Sequence, residues 1–185
     1  MRVIAGKYRS RRLATPSGVQ TRPTTDRLRE TLFNVLGPAV QGSAWLDLFA
    51  GSGAIGIEAL SRGALMAHFV ESSSRAVRAI RSNLARLGVS EGFEITERDV
   101  IPALRLLSGR AAASFDFCFL DPPYQKEQDY QRVLGFLAQS RLLNTGGLVI
   151  VEHDKHFDPG EVFGSLSRRR KLRQGDAILS FYARE

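Results

Sequence analysis

Residues 118–124 read Cys-Phe-Leu-Asp-Pro-Pro-Tyr, an apolar run that stops on Asp121, Pro122, Pro123 and Tyr124. A carboxylate, two prolines and an aromatic ring in succession are suited to holding a flat heteroaromatic amine. Asp121 can accept hydrogen bonds from the amino group. The prolines fix φ and lack an N–H, so the local carbonyls stay available as acceptors. Tyr124 can stack on the ring, as aromatic side chains do on single-stranded and flipped bases. The four residues fit a nucleobase amine and do not by themselves tell guanine from adenine.

A second constellation is Asp47-Leu-Phe-Ala-Gly51-Ser-Gly53-Ala-Ile-Gly56, which satisfies G-x-G-x-x-G, with Glu71 twenty residues after Gly51. This is formally the dinucleotide fingerprint, the acid standing where ribose hydroxyls bind. Taken alone it fits an NAD-dependent oxidoreductase. Three features favour S-adenosylmethionine instead. Asp47, just ahead of the glycines, would repel a pyrophosphate but can organise the amine-bearing, cationic end of that cofactor. Asp99, followed by Val100 and Ile101, can accept from an adenine amino group while the next backbone N–H donates to the ring. No Tyr-x-x-x-Lys pair or other hydride-transfer machinery is present. Acids closing three successive strands suit a cofactor without phosphates.

The elements that must position these residues follow from periodicity and punctuation. Val3–Ala5 and Arg11–Ala14 form a short hairpin around Gly6, and a Pro/Ser/Gly stretch leads to Pro23. Thr24 and Thr25 can cap a helix over Asp26–Leu36. Its apolar face is Leu28, Leu32, Val35 and Leu36, with Arg27, Glu30, Thr31 and Asn34 opposite. Gly37-Pro38 ends it. From Ala44 strands and helices alternate: strands at Trp45–Phe49, Met66–Glu71, Phe93–Glu97, Phe115–Leu120 and Leu148–Glu152, and helices at Ala54–Arg62, Arg75–Leu87, Ile101–Leu107 and Gln128–Gln139. Leu166–Arg173 and Ala177–Ala183, around Gly175, form an antiparallel hairpin. The pattern predicts a mostly parallel sheet covered on both faces. At 185 residues it is one domain with one core.

Composition narrows the function classes. The 43% hydrophobic and 24% charged residues are those of a globular protein. No apolar stretch approaches the roughly 20 residues of a membrane span, and no signal-peptide core follows the basic amino terminus. The lone Cys118 excludes an intrachain disulfide, fits a reducing cytosol and reads as core. Net charge is +7, and it is concentrated. Residues 1–25 hold six cations (Arg2, Lys7, Arg9, Arg11, Arg12, Arg22) and no acid, and Arg168, Arg169, Arg170, Lys171 and Arg173 form a second cluster. The remainder is slightly acidic, with 15 cations against 19 acids. Localised positive charge of this kind suits a polyanion held in one orientation. The Arg168–Arg173 run reads equally as a phosphate contact or a solvated strand. His153 and His156 are spaced His-x-x-His without a convincing third ligand, so no metal site is expected. Trp45 and Met66 read as core.

With the Asp47–Gly56 loop, Glu71, Asp99 and Asp121–Tyr124 in this order, the chain resembles the class I S-adenosylmethionine-dependent methyltransferases. Within them it is similar to the RsmD family of small-subunit (16S) ribosomal RNA guanine-N2 methyltransferases. The resemblance is carried by Ile4-Ala-Gly-Lys-Tyr-Arg-Ser-Arg-Arg-Leu13, by Arg22-Pro-Thr-Thr-Asp-Arg-Leu-Arg-Glu-Thr-Leu-Phe-Asn34, by Asp47 to Gly63 and by Asp121–Tyr124. The Arg22–Asn34 block is the specific part, and residues 153–185 match only loosely.

The resemblance implies a Rossmann-like α/β fold with a mostly parallel seven-stranded sheet, an antiparallel carboxy-terminal hairpin and helices on both faces. It implies a single domain in which residues 1–43 are an RNA-facing extension and 44–185 the cofactor-binding core. Phe49, Ala50, Gly51, Ser52 and Gly53 would wrap the methionine part of the cofactor. Glu71 would take the ribose, Asp99 and Val100 the adenine, and Asp121, Pro122, Pro123 and Tyr124 the target base. Where relatives often carry a charge after Glu71, this chain has Ser72-Ser73-Ser74. The amino-terminal cations, Arg22 included, would contact phosphates of the 16S RNA or of an assembling small subunit. A cytoplasmic monomer is the expected state. The rival readings are a DNA adenine-N6 or cytosine-N4 methyltransferase, and a ribosome-assembly factor that binds RNA without catalysis. With about 43 residues ahead of the first βα unit, there is little room for a sequence-reading DNA domain.

Overall fold

The computed structural model describes residues 1–15, 24–110, 114–123 and 127–185. Helix α1 (Asp26–Leu36) begins where the Thr25 side chain accepts the Leu28 N–H at 3.1 Å, and ends at Gly37. It leads through a short 3-10 turn into β1 (Ala44–Leu48). The alternation then runs α2 (Ala54–Ser61), β2 (Met66–Glu71), α3 (Ser74–Leu87), β3 (Phe93–Glu97), α4 (Val100–Ser108), β4 (Phe115–Leu120) and α5 (Glu127–Gln139). It closes with β5 (Leu143–Asp154), β6 (Val162–Phe163), β7 (Leu166–Gln174) and β8 (Ala177–Arg184). Ser73 caps α3 by accepting the Ala76 N–H, which gives the Ser72–Ser74 run a structural role.

All eight strands form one sheet in the order β3-β2-β1-β4-β5-β8-β7-β6. The first five are parallel, and β8, β7 and β6 add on antiparallel. The expected seven strands are therefore present with an eighth, the two-residue edge strand β6. Strand β5 is also longer than Leu148–Glu152, because a register slip between Phe115 and Phe117 lets Leu143 pair with Phe115 ahead of the glycines.

Alternate residues of the central strands face two cores. Trp45, Phe69, Phe117, Phe119 and Ile150 pack with α1, α2 and α3 on one side. Leu46, Leu48, Val70, Cys118, Leu120 and Val151 pack with α4 and α5 on the other. Trp45 is fully buried between Phe33 and Phe117, with ring centroids 5.1 and 4.9 Å away, and Met66 is partly buried. Helix α1 differs from its predicted face. Arg29 and Phe33 are buried where Val35 was expected, and Val35 is only partly covered.

The amino-terminal hairpin is real but short: Arg2 and Arg12 form a single antiparallel bridge, flanked by Val3 N–H to Arg11 O at 2.9 Å and Ser10 N–H to Val3 O at 2.9 Å. Val3 and Leu13 are buried beneath it. The hairpin is fastened to α2 by the fully buried Glu58 carboxylate, which accepts the N–H groups of Ile4 (2.8 Å) and Ala5 (3.0 Å) and the Arg62 guanidinium (2.8 Å). Arg29, with no exposed surface, reaches the Arg2 carbonyl and the Asp26 carboxylate, each at 2.7 Å. A buried charge without partners is costly, so this network fixes how the hairpin and α1 lie on the core. Among the described residues, no helix is long and apolar enough to cross a membrane.

Candidate active site

The chain reaches β1, moves outward to β2 and β3, and then crosses back to place β4 on the other side of β1. In such sheets ligands bind in the crevice at this switch point, beyond the carboxyl ends of the strands. Leu48 of β1 pairs with Leu120 of β4. The next residues, Phe49 with its glycine loop and Asp121 with its prolines, therefore leave neighbouring strands at the same level. The two constellations read from sequence flank one crevice.

The glycine loop is held by its own backbone and by Glu71. Phe49 has φ of 57°, a left-handed conformation that is uncommon for an aromatic residue and is found at functional sites more often than elsewhere. Gly51 and Gly53 follow at 55° and 76°. The Glu71 carboxylate accepts the Gly51 N–H and the Ser73 N–H, both at 2.8 Å, tying the loop to the start of α3. Gly56 lies in the first turn of α2, directly over Phe69. A Cβ there would lie 2.3 Å from the ring, so only glycine lets the helix sit this close to β2.

Asp47 is 2% exposed and accepts the Gly56 N–H at 3.0 Å. Burial raises its pKa to about 8; the Gly56 hydrogen bond opposes the shift and the Glu71 charge adds to it. Its side chain shares the α1–α3 face of the sheet with Asp121 and Glu152, by the alternation of the three strands. Asp121 is partly buried, Pro122 buried and Pro123 exposed. Burial, then Glu152 and then Asp47, hold the Asp121 pKa well above the usual carboxylate range. Tyr124 lies outside the described residues.

Glu152 is the residue that sequence reasoning missed. It follows Val151, the partner of Leu120, and so stands beside Asp121 on β5. It is 7% exposed and accepts the Thr24 hydroxyl at 2.6 Å. The only signal was a carboxylate inside an apolar strand, which resembles an ordinary strand end. Through Thr24, the start of α1 is anchored to the carboxyl end of β5, beside Asp121.

Asp99 forms the N-cap position of α4 but makes no side-chain capping bond, and it is exposed, while Val100 behind it is buried. A carboxylate that its own helix does not use remains available to a ligand. With Glu71 at the end of β2, the left-handed Phe49–Gly53 loop and Asp99 at the end of β3, the residues present fit S-adenosylmethionine. No phosphate cradle is needed, and acids stand where the hydroxyls and amines of a nucleoside would be met.

Of the amino-terminal cations, Arg2, Lys7, Arg9, Arg11 and Arg12 are all exposed on the hairpin, and Arg22 lies outside the described residues. Arg2 is 3.4 Å from Asp26, and Arg11 donates to the Arg86 carbonyl on α3 at 3.3 Å. The second basic run divides. Arg168 pairs with Asp158 (2.6 Å) and Glu161 (3.2 Å), and Lys171 with Asp158 (2.8 Å). These bonds, Arg168 first, hold the Asp158 pKa well below its usual range. Two of the five cations thus brace the sheet edge, whereas Arg169, Arg170 and Arg173 are exposed. His153 is buried, its Nδ1 2.7 Å from the Phe157 carbonyl and its Nε2 2.9 Å from Ser180 Oγ, so both ring nitrogens serve the fold.

This architecture is the Rossmann-like fold of the class I methyltransferases. The chain belongs to the family described as Conserved hypothetical protein 95, whose model matches residues 1–183. It is 38% identical over 182 residues to the Putative rRNA methyltransferase YlbH of Bacillus subtilis, covering 98% of each chain. It is 32% identical over 185 residues to the Ribosomal RNA small subunit methyltransferase D of Escherichia coli K12, covering 100% of this chain and 90% of that one. Among solved structures it superimposes on the Putative methyltransferase yhhF from Escherichia coli with a TM-score of 0.85 and 31% identity, covering 100% and 98%.

Proposed function

We propose that this protein transfers a methyl group from S-adenosylmethionine to the exocyclic N2 amine of a guanine in small-subunit ribosomal RNA. The observation that carries the reading is the register of β1 and β4, which sets Asp121 and its prolines across one crevice from the Phe49–Gly53 loop. Ribosomal RNA as substrate, and the small subunit as its source, are supported by the names of the relatives. Guanine N2 follows from the family resemblance.

The cofactor, when bound, supplies an electrophilic methyl group on a sulfonium. The protein's residues supply position and charge. Phe49–Gly53 line the methionine end with Asp47 beneath them, Glu71 accepts from ribose hydroxyls, and Asp99 with Val100 recognises adenine. An exocyclic guanine amine is a poor nucleophile, because its lone pair is delocalised into the ring. Asp121 and the Pro122 carbonyl each accept one N–H, drawing the nitrogen toward tetrahedral geometry with its lone pair facing the methyl group. Holding two reactants in such an arrangement is the main source of acceleration. Proton loss can follow methyl transfer, so Asp121 need not be a strong base. Tyr124 stacks on the base. The hairpin cations, on the extension formed by residues 1–43, hold flanking phosphates. Asp121→Ala should abolish methyl transfer to undermethylated small-subunit RNA while changing S-adenosylhomocysteine affinity less than about two-fold. Equal methylation by variant and wild type would remove Asp121 from the mechanism.

A further inference from the structure

Asn83 lies in the second half of α3 and is 1% exposed. A buried carboxamide is retained in a helix only when its polar atoms find partners, and those of Asn83 are not in its own helix. Its Oδ1 accepts the Ala14 N–H at 2.7 Å, and its Nδ2 donates to the Ala14 carbonyl and to the Ser52 carbonyl, both at 3.0 Å. Ala14 is the end of the amino-terminal hairpin, and Ser52 is the middle of the glycine loop. One side chain thus grips both polar groups of a residue in the cation-bearing extension and, with the same amide nitrogen, the peptide joining Ser52 to Gly53.

Among the described residues, this is the strong hydrogen-bonded link between extension and loop. The hairpin's other anchors go to α2, where Glu58 accepts from Ile4 and Ala5 and where Lys7 and Tyr8 donate to the Ser61 carbonyl and hydroxyl at 2.7 and 2.9 Å, to α1 through Arg29 and Asp26, and to the end of α3 through Arg11. Apart from a Met1 Sδ to Ser52 Oγ contact at 3.6 Å, which is weak, Asn83 alone among these anchors touches the loop. The Gly53 N–H, in the peptide whose carbonyl Asn83 holds, closes the loop on the Ala50 carbonyl at 2.7 Å.

We propose that Asn83 is a positioning residue that makes the geometry of the cofactor loop depend on the amino-terminal extension, through the hydrogen-bond chain Ala14–Asn83–Ser52. The inference rests on the reading of Phe49–Gly53 as the cofactor loop. It adds that the extension is part of the cofactor site and not only a platform for RNA. Coupling between two sites is reciprocal, so an RNA that orders the hairpin also tightens the loop.

The test uses the full chain and three variants: Asn83→Ala, Ala14→Pro, which removes the Ala14 N–H without touching Asn83, and the two combined. S-adenosylhomocysteine affinity is measured by calorimetry. Amide hydrogen exchange at Gly53 is measured in the protein without ligand. Each single variant should weaken binding by roughly 10-fold and speed Gly53 exchange, and the double variant should be no worse than the worse single one. Ala14→Pro with unchanged Gly53 exchange overturns the proposal, as does a double variant whose losses multiply. If the wild type fails to bind S-adenosylhomocysteine, the cofactor reading falls, and the exchange measurement still decides whether Asn83 couples extension and loop.

Discussion

Gly56→Ala places a methyl group where there is no room, and the consequence can be worked from the packing. The new Cβ would lie 2.3 Å from Phe69 Cε1 and 2.7 Å from Cζ, so ring and helix must separate by about 1 Å to reach ordinary contact. Phe69 cannot swing aside: it has no exposed surface, and its ring edge also lies against Gly53, where a Cβ would be 3.2 Å away. Overpacking of this kind costs about 1–3 kcal/mol. Replacing a helical glycine by alanine returns at most about 1 kcal/mol of backbone entropy. With a clash this deep against a ring that cannot move, the cost lies at the upper end of that range, so the net is a destabilisation of about 2 kcal/mol, a drop in Tm of about 4–8 °C for a chain of this length. Moving α2 also stretches the 3.0 Å bond from Gly56 to Asp47, so S-adenosylhomocysteine should bind more weakly. The assay is denaturant unfolding of Gly56→Ala, Phe69→Leu and the pair, with calorimetry of cofactor binding. The shorter leucine should recover part of the loss in the Gly56→Ala background. A Gly56→Ala protein as stable as wild type would refute the close-approach argument.

Two further outcomes follow from electrostatics. Burial lets Asp47 keep its proton to about pH 8 when folded, whereas it loses it near the ordinary carboxylate value of 3.8 when unfolded. Between those values the folded state binds more protons, so the Asp47 contribution to stability declines as pH rises through that window. Asp47→Asn, which can still accept from Gly56, should be more stable than wild type at pH 8, with a flatter stability profile from pH 5 to 8 by chemical denaturation. An unchanged slope would mean that Asp47 is not held protonated. Removing the exposed cations Lys7 and Arg9 by alanine substitution should weaken RNA binding and reduce the slope of log affinity against log salt by about 2. An unaltered slope would place the RNA elsewhere.

Much of this fold can be read from the chain because its strands are short, apolar and cleanly punctuated. Met66–Glu71, Phe93–Glu97 and Phe115–Leu120 match their predicted bounds. Helix α1 does too, since Thr25 and Gly37 mark its ends chemically. What was not legible depends on tertiary contacts. Strand β6 has two residues and no alternation to detect. The start of β5 is disguised by Asn144, Thr145, Gly146 and Gly147, which read as a turn until the register slip with β4 is known. Arg29 and Asn83 are side-chain types found mostly at the surface, and their burial follows from how the amino-terminal hairpin lies on α2 and α3. Glu58 did leave a trace, as a lone charge in the otherwise apolar segment Ala54–Leu60. At the candidate site the first contacts were legible as motifs. Glu152, which shapes the charge on Asp121 from the next strand, was not, because adjacency across a parallel sheet has no sequence spacing.

The crevice between β1 and β4 is proposed to methylate a guanine amine of small-subunit RNA. The direct measurement is labelled methyl transfer to small-subunit RNA and particles lacking the modification, beside duplex DNA, followed by digestion and identification of the labelled nucleoside. A single labelled product, N2-methylguanosine, is expected from the ribosomal substrate and none from DNA. Label appearing on adenine N6 or cytosine N4, or no transfer by a protein that binds both cofactor and RNA, would contradict it.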